Sequence, residues 1–272
     1  MENICFADSW EQYFQRFSLT TFDDFYRHCG TSTVGRNTRR SVQKFTLGDD
    51  ANRKVFFVKK FHNPQLKDKI SAVYNYGWPA SQARVEWDNA WYLLNNGIGT
   101  YKPVCMGECS LMGVERDSFV VTEELESVCL VDFVIEKWRL LECSMHEKII
   151  VAAAKLVRAV HEMGVSLPDL YLWHFFINPD RPDKKNQLSI IDLHRMRQKG
   201  LNRRGKIKQL GRLYWSMSSD YFDQEEKELL IGAYIDGNSS FDRKDSMRII
   251  RRCSAELDTK RTLSNYYRYS KV

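Results

Sequence analysis

Apolar side chains recur along this chain with two different periods, and the change of period divides it in half. In the first half the short, strand-like period dominates. Residues 41–47 (SVQKFTL) and 54–61 (KVFFVKKF) are rich in β-branched and aromatic side chains. Gly48-Asp49-Asp50 separates them, which predicts a hairpin with a longer loop. Residues 101–106 and 118–122 predict two further strands. Between these pairs, residues 81–96 switch to helical spacing: Ala83, Trp87, Ala90, Trp91 and Leu94 form one apolar stripe. Ser81 is placed to cap that helix, and Gly97 to end it in a left-handed conformation.

The second half reads as mainly helical. Ser144 followed by Glu147 has the form of a capping box, and Ile150, Ala154, Val157 and Val160 continue at helical spacing until Gly164. Asp223 followed by Glu226 repeats the signature ahead of Leu229, Leu230, Ala233 and Tyr234. A basic helix is expected over 242–257. Two short β-like pieces, 174–178 (HFFIN) and 188–193 (LSIIDL), flank a turn containing Pro179, Asp180, Pro182 and Asp183. No internal repeat or low-complexity linker interrupts this order. The expected class is α+β: a β-rich N-terminal half with one main helix, residues 1–125, and a helical half with one small hairpin, residues 126–272.

Composition narrows the class. Hydrophobic residues are 43% and charged residues 28% of 272, a globular balance that excludes disordered and fibrous chains. The best apolar run, 149–156, is already broken by Lys155, whereas a membrane span needs about 20 residues. Acids at Glu2, Asp8 and Glu11 argue against a secretory signal. Seven Cys without a C-x-x-C pair suggest reduced thiols in the cytoplasm. The net charge of +6 suggests an anionic partner. The charge is concentrated: from Leu193 to Ser219 there is no acid, while Arg195, Arg197, Lys199, Arg203, Arg204, Lys206, Lys208 and Arg212 all fall there. This stretch reads as a basic loop, either simply solvated or a site for phosphate groups on a substrate or lipid surface. A nucleic-acid binder is disfavoured, because the cations cluster without an aromatic platform or reader motif.

Four side chains offer chemistry. Asp169 precedes the first β-like piece and Asp192 ends the second, so the returning chain can bring both carboxylates to one cleft. One would orient a hydroxyl and accept its proton, the other ligate a hard cation such as Mg2+. The competing reading makes Asp169 a turn cap and Asp192 an ion-pair partner of Arg195. Lys59 shares a strand face with Val55 and Phe57, and Glu86 lies within the Trp-rich helix. The two can pair, or stand as a solvated edge lysine and a surface carboxylate.

The order of these pieces resembles a protein-kinase-like phosphotransferase: strand Lys, helix Glu, boundary, long helix, loop Asp, polar residue five positions on, hairpin, second Asp. The wording resembles the bacterial lipopolysaccharide core kinases, the Kdo and heptose kinase family. The patterns D-L-Y-x-x-H-F, I-D-L-H-R and A-R-x-E-W stand here at 169–175, 191–195 and 83–87. The likeness runs from about residue 54 to 234. It implies ATP and Mg2+ as cofactors. Lys59 would hold the α/β-phosphates and pair with Glu86, and Glu124 and its neighbours would line adenine. Asp169 would be catalytic, and Asp192 and His174 would sit at the metal. The acceptor would be a sugar hydroxyl, heptose or Kdo, of the lipopolysaccharide inner core, with Arg195, Arg203, Arg204 and Lys206 on the acceptor side. The protein is then expected in the cytoplasm, in peripheral contact with the inner face of the membrane.

Two departures bear on this. Leu167-Pro168 stands where the family has His-Arg, removing one anchor of the catalytic loop. No G-x-G-x-x-G occurs, and the candidate phosphate-covering segment is 29–41. A catalytically impaired scaffold, or a kinase for a protein or another small molecule, would share the fold.

Overall fold

The computed structural model describes residues 1–27, 32–37, 39–64, 72–73, 77, 80–111, 114–182, 187–236 and 241–267. Parts of the 29–41 segment and Asp183 lie outside them. The chain forms two compact units, one of Met1–Leu125 with Leu193–Arg195, the other of Glu126–Asp192 with the residues from Met196 onward.

The N-terminal unit contains β1 (Glu2–Phe6), α1 (Trp10–Gln15), α2 (Phe22–Arg27), β2 (Ser32–Asn37), β3 (Arg40–Leu47), β4 (Lys54–His62), α3 (Gln82–Asn95), β5 (Pro103–Leu111) and β6 (Val114–Glu123). The strands make one antiparallel sheet in the order β1-β5-β6-β4-β3-β2. The hairpin expected over 41–61 is β3–β4, with Val42 opposite Lys59 and Thr46 opposite Val55. Its loop depends on Gly48, whose φ of +97° is left-handed and where a Cβ would lie 2.4 Å from the Asn52 carbonyl oxygen. Ser81 does cap α3, its side chain accepting from the Arg84 N–H, and Gly97 follows at φ +73°.

More helices occur here than the single one expected. α1 and α2, six residues each, are too short to declare a period in sequence. They exist because the sheet covers their apolar side. Phe14 packs on Phe56 with ring centroids 5.3 Å apart, and Phe22 and Phe25 pack on Phe119 at 5.3 and 5.4 Å. Each such buried ring contributes about 1.5–3 kcal/mol by area. Phe56 and Val58 enter this aromatic core, so by the strand's period of two Lys59 is turned the other way.

The C-terminal unit contains β7 (Val128–Cys129), α4 (Leu130–Lys137), α5 (Cys143–Glu162), β8 (Phe175–Ile177), β9 (Leu188–Ile190), α6 (Arg203–Ser216), α7 (Gln224–Ile235) and α8 (Arg243–Asp258). β8 and β9 pair antiparallel with Phe175 opposite Ile190, the expected hairpin, and β7 adds a third strand. The Asp223–Glu226 capping box forms at α7 in both directions. The Ser144–Glu147 box does not. The extended residue is Glu142 (φ −71°, ψ 151°), so Ser144 is already inside the first turn and is not the cap. The basic stretch is likewise not all loop. From Arg203 it is helix α6, with Asn202 capping the Gly205 N–H at 2.9 Å. Ile207, Leu210, Leu213 and Tyr214 supply its buried stripe, and the dense charge between them masked the period.

α5, α6 and α7 meet at a buried polar node. His161, 1% exposed, accepts at Nδ1 from the Tyr234 hydroxyl (2.8 Å) and donates from Nε2 to Gln209 Oε1 (3.1 Å). Both bonds are complete with a neutral ring, so a second proton would have to displace one. Burial accordingly pushes the imidazole pKa down to about 4. An unfolded histidine, near 6.5, binds protons that the folded one refuses. The stability contributed is full above about pH 6.5 and is lost as pH falls toward 4, up to about 3 kcal/mol. Urea unfolding of the wild type and His161→Gln from pH 7.5 to 4 checks this. The wild type should lose about 3 kcal/mol more than the variant over that range.

Candidate active site

In the N-terminal unit the central feature is a buried ion pair. Lys59, in the middle of β4, places Nζ 3.0 Å from Oε1 and 2.9 Å from Oε2 of Glu86, in the second turn of α3. Glu86 is only 2% exposed, and the Tyr101 hydroxyl also donates to its Oε1 at 2.6 Å. Removing either partner of such a pair strands a charge at a cost of about 3–5 kcal/mol. The neighbouring Lys60 faces the other side, with Nζ 5.9 Å from the Tyr26 ring centroid. Three residues beyond Glu86, buried Asn89 donates from Nδ2 to the Leu193 carbonyl at 2.9 Å. Arg40 Nη1 lies 2.6 Å from His194 Nε2. Thus α3 holds both the lysine of β4 and the backbone that directly follows Asp192 in sequence. Glu124 presents its carboxylate to Lys44 at 2.7 Å near the surface, and its N–H donates to the Val55 carbonyl.

In the C-terminal unit His174 lies between the backbone carbonyl of Asp169 and the carboxylate of Asp192. Its Nδ1 lies 2.7 Å from the Asp169 carbonyl oxygen, which can only accept, so Nδ1 carries the proton. Nε2 lies 3.7 Å from Asp192 Oδ2. The Ile191 N–H donates to the His174 carbonyl at 2.9 Å, which fixes the end of β9 beside this ring. Asp192 itself has φ +64°, a left-handed conformation that a non-glycine residue adopts at some cost and that Asp tolerates better than most.

No group of three or more His, Cys, Asp or Glu side chains stands ready as a metal cage among the described residues. Asp192 offers an oxygen ligand to an ion such as Mg2+, which takes its other ligands from phosphate oxygens and water, whereas the imidazole of His174 is a poor ligand for that ion and is better suited to hydrogen-bond Asp169 or a phosphate.

The loop before Asp169 is held by residues that the sequence did not single out. Gln209 Oε1 accepts from the Leu167 N–H at 2.8 Å, and its Nε2 donates to Ser166 Oγ at 3.0 Å. The Ser166 backbone exchanges two hydrogen bonds with Arg197, at 2.8 and 2.9 Å. Leu167 itself is buried, so the place where the family has His is filled by an apolar side chain and the anchoring is done through backbone. Neutral Gln209, on the apolar face of α6, was the only available signal. Tyr101 and Asn89 likewise gave none. Arg195, Arg203 and Arg204 are exposed, and the Arg203 guanidinium lies 5.7 Å from the Phe241 ring.

Comparison with known proteins was made against this geometry. The model of the Lipopolysaccharide kinase (Kdo/WaaP) family matches residues 28–234. The lipopolysaccharide core heptose(I) kinase WaaP of Escherichia coli (strain K12) is 29% identical over 187 residues, 67% of this chain and 71% of that protein. WaaP of Pseudomonas aeruginosa is 28% identical over 187 residues, 67% of this chain and 70% of that protein. A solved structure of WaaP in complex with acyl carrier protein superposes with a TM-score of 0.68 at 21% identity, covering 98% of this chain and all of that one, and so shares the fold. The family match spans both the Lys59–Glu86 pair and the Asp169, His174 and Asp192 group, and the chain belongs to the lipopolysaccharide kinase (Kdo/WaaP) family, a phosphotransferase with an alcohol group as acceptor.

Proposed function

We propose that this kinase transfers the γ-phosphoryl group of ATP to a hydroxyl of a heptose in the lipopolysaccharide inner core, with Kdo as the competing acceptor. The observation that carries the reading is the grouping of Asp169, His174 and Asp192 around one oriented imidazole. Relatives named as heptose(I) kinases favour heptose.

When bound, ATP supplies an activated phosphoryl group and Mg2+ offsets its negative charge. Lys59, kept in place by Glu86 and Tyr101, donates to the α/β-phosphates. Asp169 orients the acceptor hydroxyl and accepts its proton. Asp192 holds the cation, with His174 Nε2 beside it. The backbone around Glu124 lines adenine, since its carboxylate already pairs with Lys44. Such a reaction asks mainly for positioning and charge compensation.

The scaffold alternative rested on Leu167-Pro168. Gln209 and the Ser166–Arg197 bridge supply another anchor for the same loop, which favours an active enzyme. The cations of α6 also favour an anionic acceptor. Arg203, Arg204 and Lys206 crowd the positive end of a helix dipole, where each costs about 0.3–1 kcal/mol. Local stability gives no reason for them, whereas a phosphate- and carboxylate-bearing sugar core does. No described helix is long and apolar enough to cross a membrane, so contact with lipid would be peripheral and through the acceptor. Transfer of labelled phosphate from ATP to purified, dephosphorylated core oligosaccharide, with the site read by mass spectrometry, tests the reading. Label on Kdo would replace heptose, and no label on either sugar would refute it.

Asp192→Asn should lower Mg2+-dependent ADP release by about 100-fold or more while the fold is retained by circular dichroism. Near-wild-type turnover at saturating Mg2+ would remove Asp192 from the metal site.

Lys59→Ala and Glu86→Ala should each reduce kcat/KM for ATP, and the double variant should lose little more than the worse single. Additive losses would mean that the pair does not act as a unit.

Replacing Arg203, Arg204 and Lys206 together by Ala should raise the acceptor KM about tenfold at low salt and flatten its salt dependence. The KM for ATP should stay within about twofold, as none of the three side chains is assigned to the nucleotide. An unchanged acceptor KM would make these residues a solvated surface.

A further inference from the structure

Between Asp169 and His174 lie Leu170, Tyr171, Leu172 and Trp173. The two leucines enter the core, and the two aromatic rings stack on each other at 4.6 Å with planes 10° apart. The stack does not end there. Tyr266, far along the chain, lies on Trp173 at 4.0 Å and 6°. Three flat rings are thus in register, and Trp215 of α6 stands edge-on to all three at 6.0–6.2 Å. The Arg261 guanidinium lies 5.3 Å from the Tyr171 ring.

The segment that carries Arg261 and Tyr266 follows α8 and is tied down at both ends. At its start, Asp258 accepts from Trp215 Nε1 at 2.7 Å. At its end, the Tyr267 hydroxyl donates to the Ser216 carbonyl (2.6 Å) and accepts from the Ser218 N–H (3.1 Å). Burial raises the Tyr267 pKa, so that hydroxyl keeps its proton and both bonds. Ser216 touches the other partner too, its Oγ accepting from the Leu172 N–H at 2.9 Å. The segment and the loop between Asp169 and His174 therefore share Ser216, Trp215 and one ring stack.

Resting on the kinase reading above, we infer that residues 259–267 clamp the catalytic loop, with Tyr266 a positioning residue that acts through Trp173 and Tyr171. The loop's own hydrogen bonds place its backbone. The stack determines the tilt of Trp173 and Tyr171, whose rings flank His174 at 6.1 and 6.2 Å. His174 in turn holds the Asp169 backbone carbonyl and faces Asp192, so the clamp reaches the backbone of one acid and the carboxylate of the other without touching substrate. Tyr266 is 38% exposed, which leaves one face of the stack at the surface and makes its contribution separable from the core.

The test compares wild type, Tyr266→Ala, Tyr266→Leu and Tyr266→Phe, with ATP and dephosphorylated core oligosaccharide as substrates and Asp169→Asn as the inactive control. Losing one aromatic pair should lower kcat by about three- to tenfold in the Ala and Leu variants, with the KM for ATP within about twofold. Phe, which keeps the flat ring, should restore kcat. Amide exchange should quicken at Leu172 and His174 in the Ala and Leu variants and not elsewhere in the unit. Unchanged kcat, equal loss in the Phe variant, a loss confined to the KM for ATP, or exchange that quickens uniformly would each overturn the clamp. If the wild type transfers no phosphate to the core, the functional reading fails instead, and the exchange at Leu172 and His174 still decides whether Tyr266 holds the loop.

Discussion

One side-chain amide, that of Gln209, holds the backbone on which the candidate catalytic carboxylate stands. Its carbonyl oxygen takes the Leu167 N–H and the His161 Nε2–H, and its amino group gives a proton to Ser166. The His161 ring is completed by Tyr234. Each of these contacts sets a donor against an acceptor, and every member is neutral. A buried polar network is stabilising only when fully satisfied, and partial satisfaction is worse than an apolar core. That is why the node constrains the loop. Leu167 cannot shift without leaving its own buried N–H unpaired. The two helices that carry His161 and Gln209 consequently fix the approach of the chain to Asp169.

The two units solve the problem of fixing a functional group in opposite ways. In the C-terminal unit the anchoring groups are neutral, and the acids beside them are partly exposed. In the N-terminal unit a full ion pair is buried, Lys59 against Glu86, with Tyr101 adding a second donor. A buried pair is weak evidence for stability, because desolvation offsets most of its attraction. It is strong in geometry, because neither charge can leave the other. A lysine meant to meet phosphate gains from this. Its ammonium is held at a defined position by Glu86.

Much of this was legible in the sequence, and the reasons for the rest are physical. The β3–β4 hairpin, α3 with its Ser81 cap, and the α7 capping box follow from local chemistry, since period, cap and turn residues all agreed. Asp169, His174 and Asp192 were candidates through the D-L-Y-x-x-H-F and I-D-L-H-R wording, and the structure places the His174 ring between the Asp169 carbonyl and Asp192. α1 and α2 were not, because six residues cannot show a helical period and only the sheet's aromatic face stabilises them. The Ser144 cap failed because a capping signature marks a possible helix start, while the extended residue at Glu142 decides the actual one. α6 was hidden by charge, as its cations alternate with the buried positions. Gln209, Asn89 and Tyr101 were invisible because a neutral polar residue acquires a role only through a partner distant in sequence.

The same contrast between neutral anchors and charged ends bears on how the molecule distributes its cations. The lysine that a triphosphate would meet is paired internally and so carries no net surplus until a phosphate arrives. The arginines at the start of α6 are not offset in that way: they sit where the helix dipole is already positive, capped by an uncharged Asn202 where an acidic cap would have been more stabilising. A sequence selected only for folding would place Asp or Glu there, as it does at Asp223 and Asp242, which cap α7 and α8. α7 and α8 thus begin at an acidic cap and α6 does not, although α8 too carries two cations, Arg243 and Lys244, in its first turn. Local conflicts of this kind concentrate where a protein trades stability for binding. On the proposed reading, the cations at the start of α6 are the charge available to an anionic acceptor.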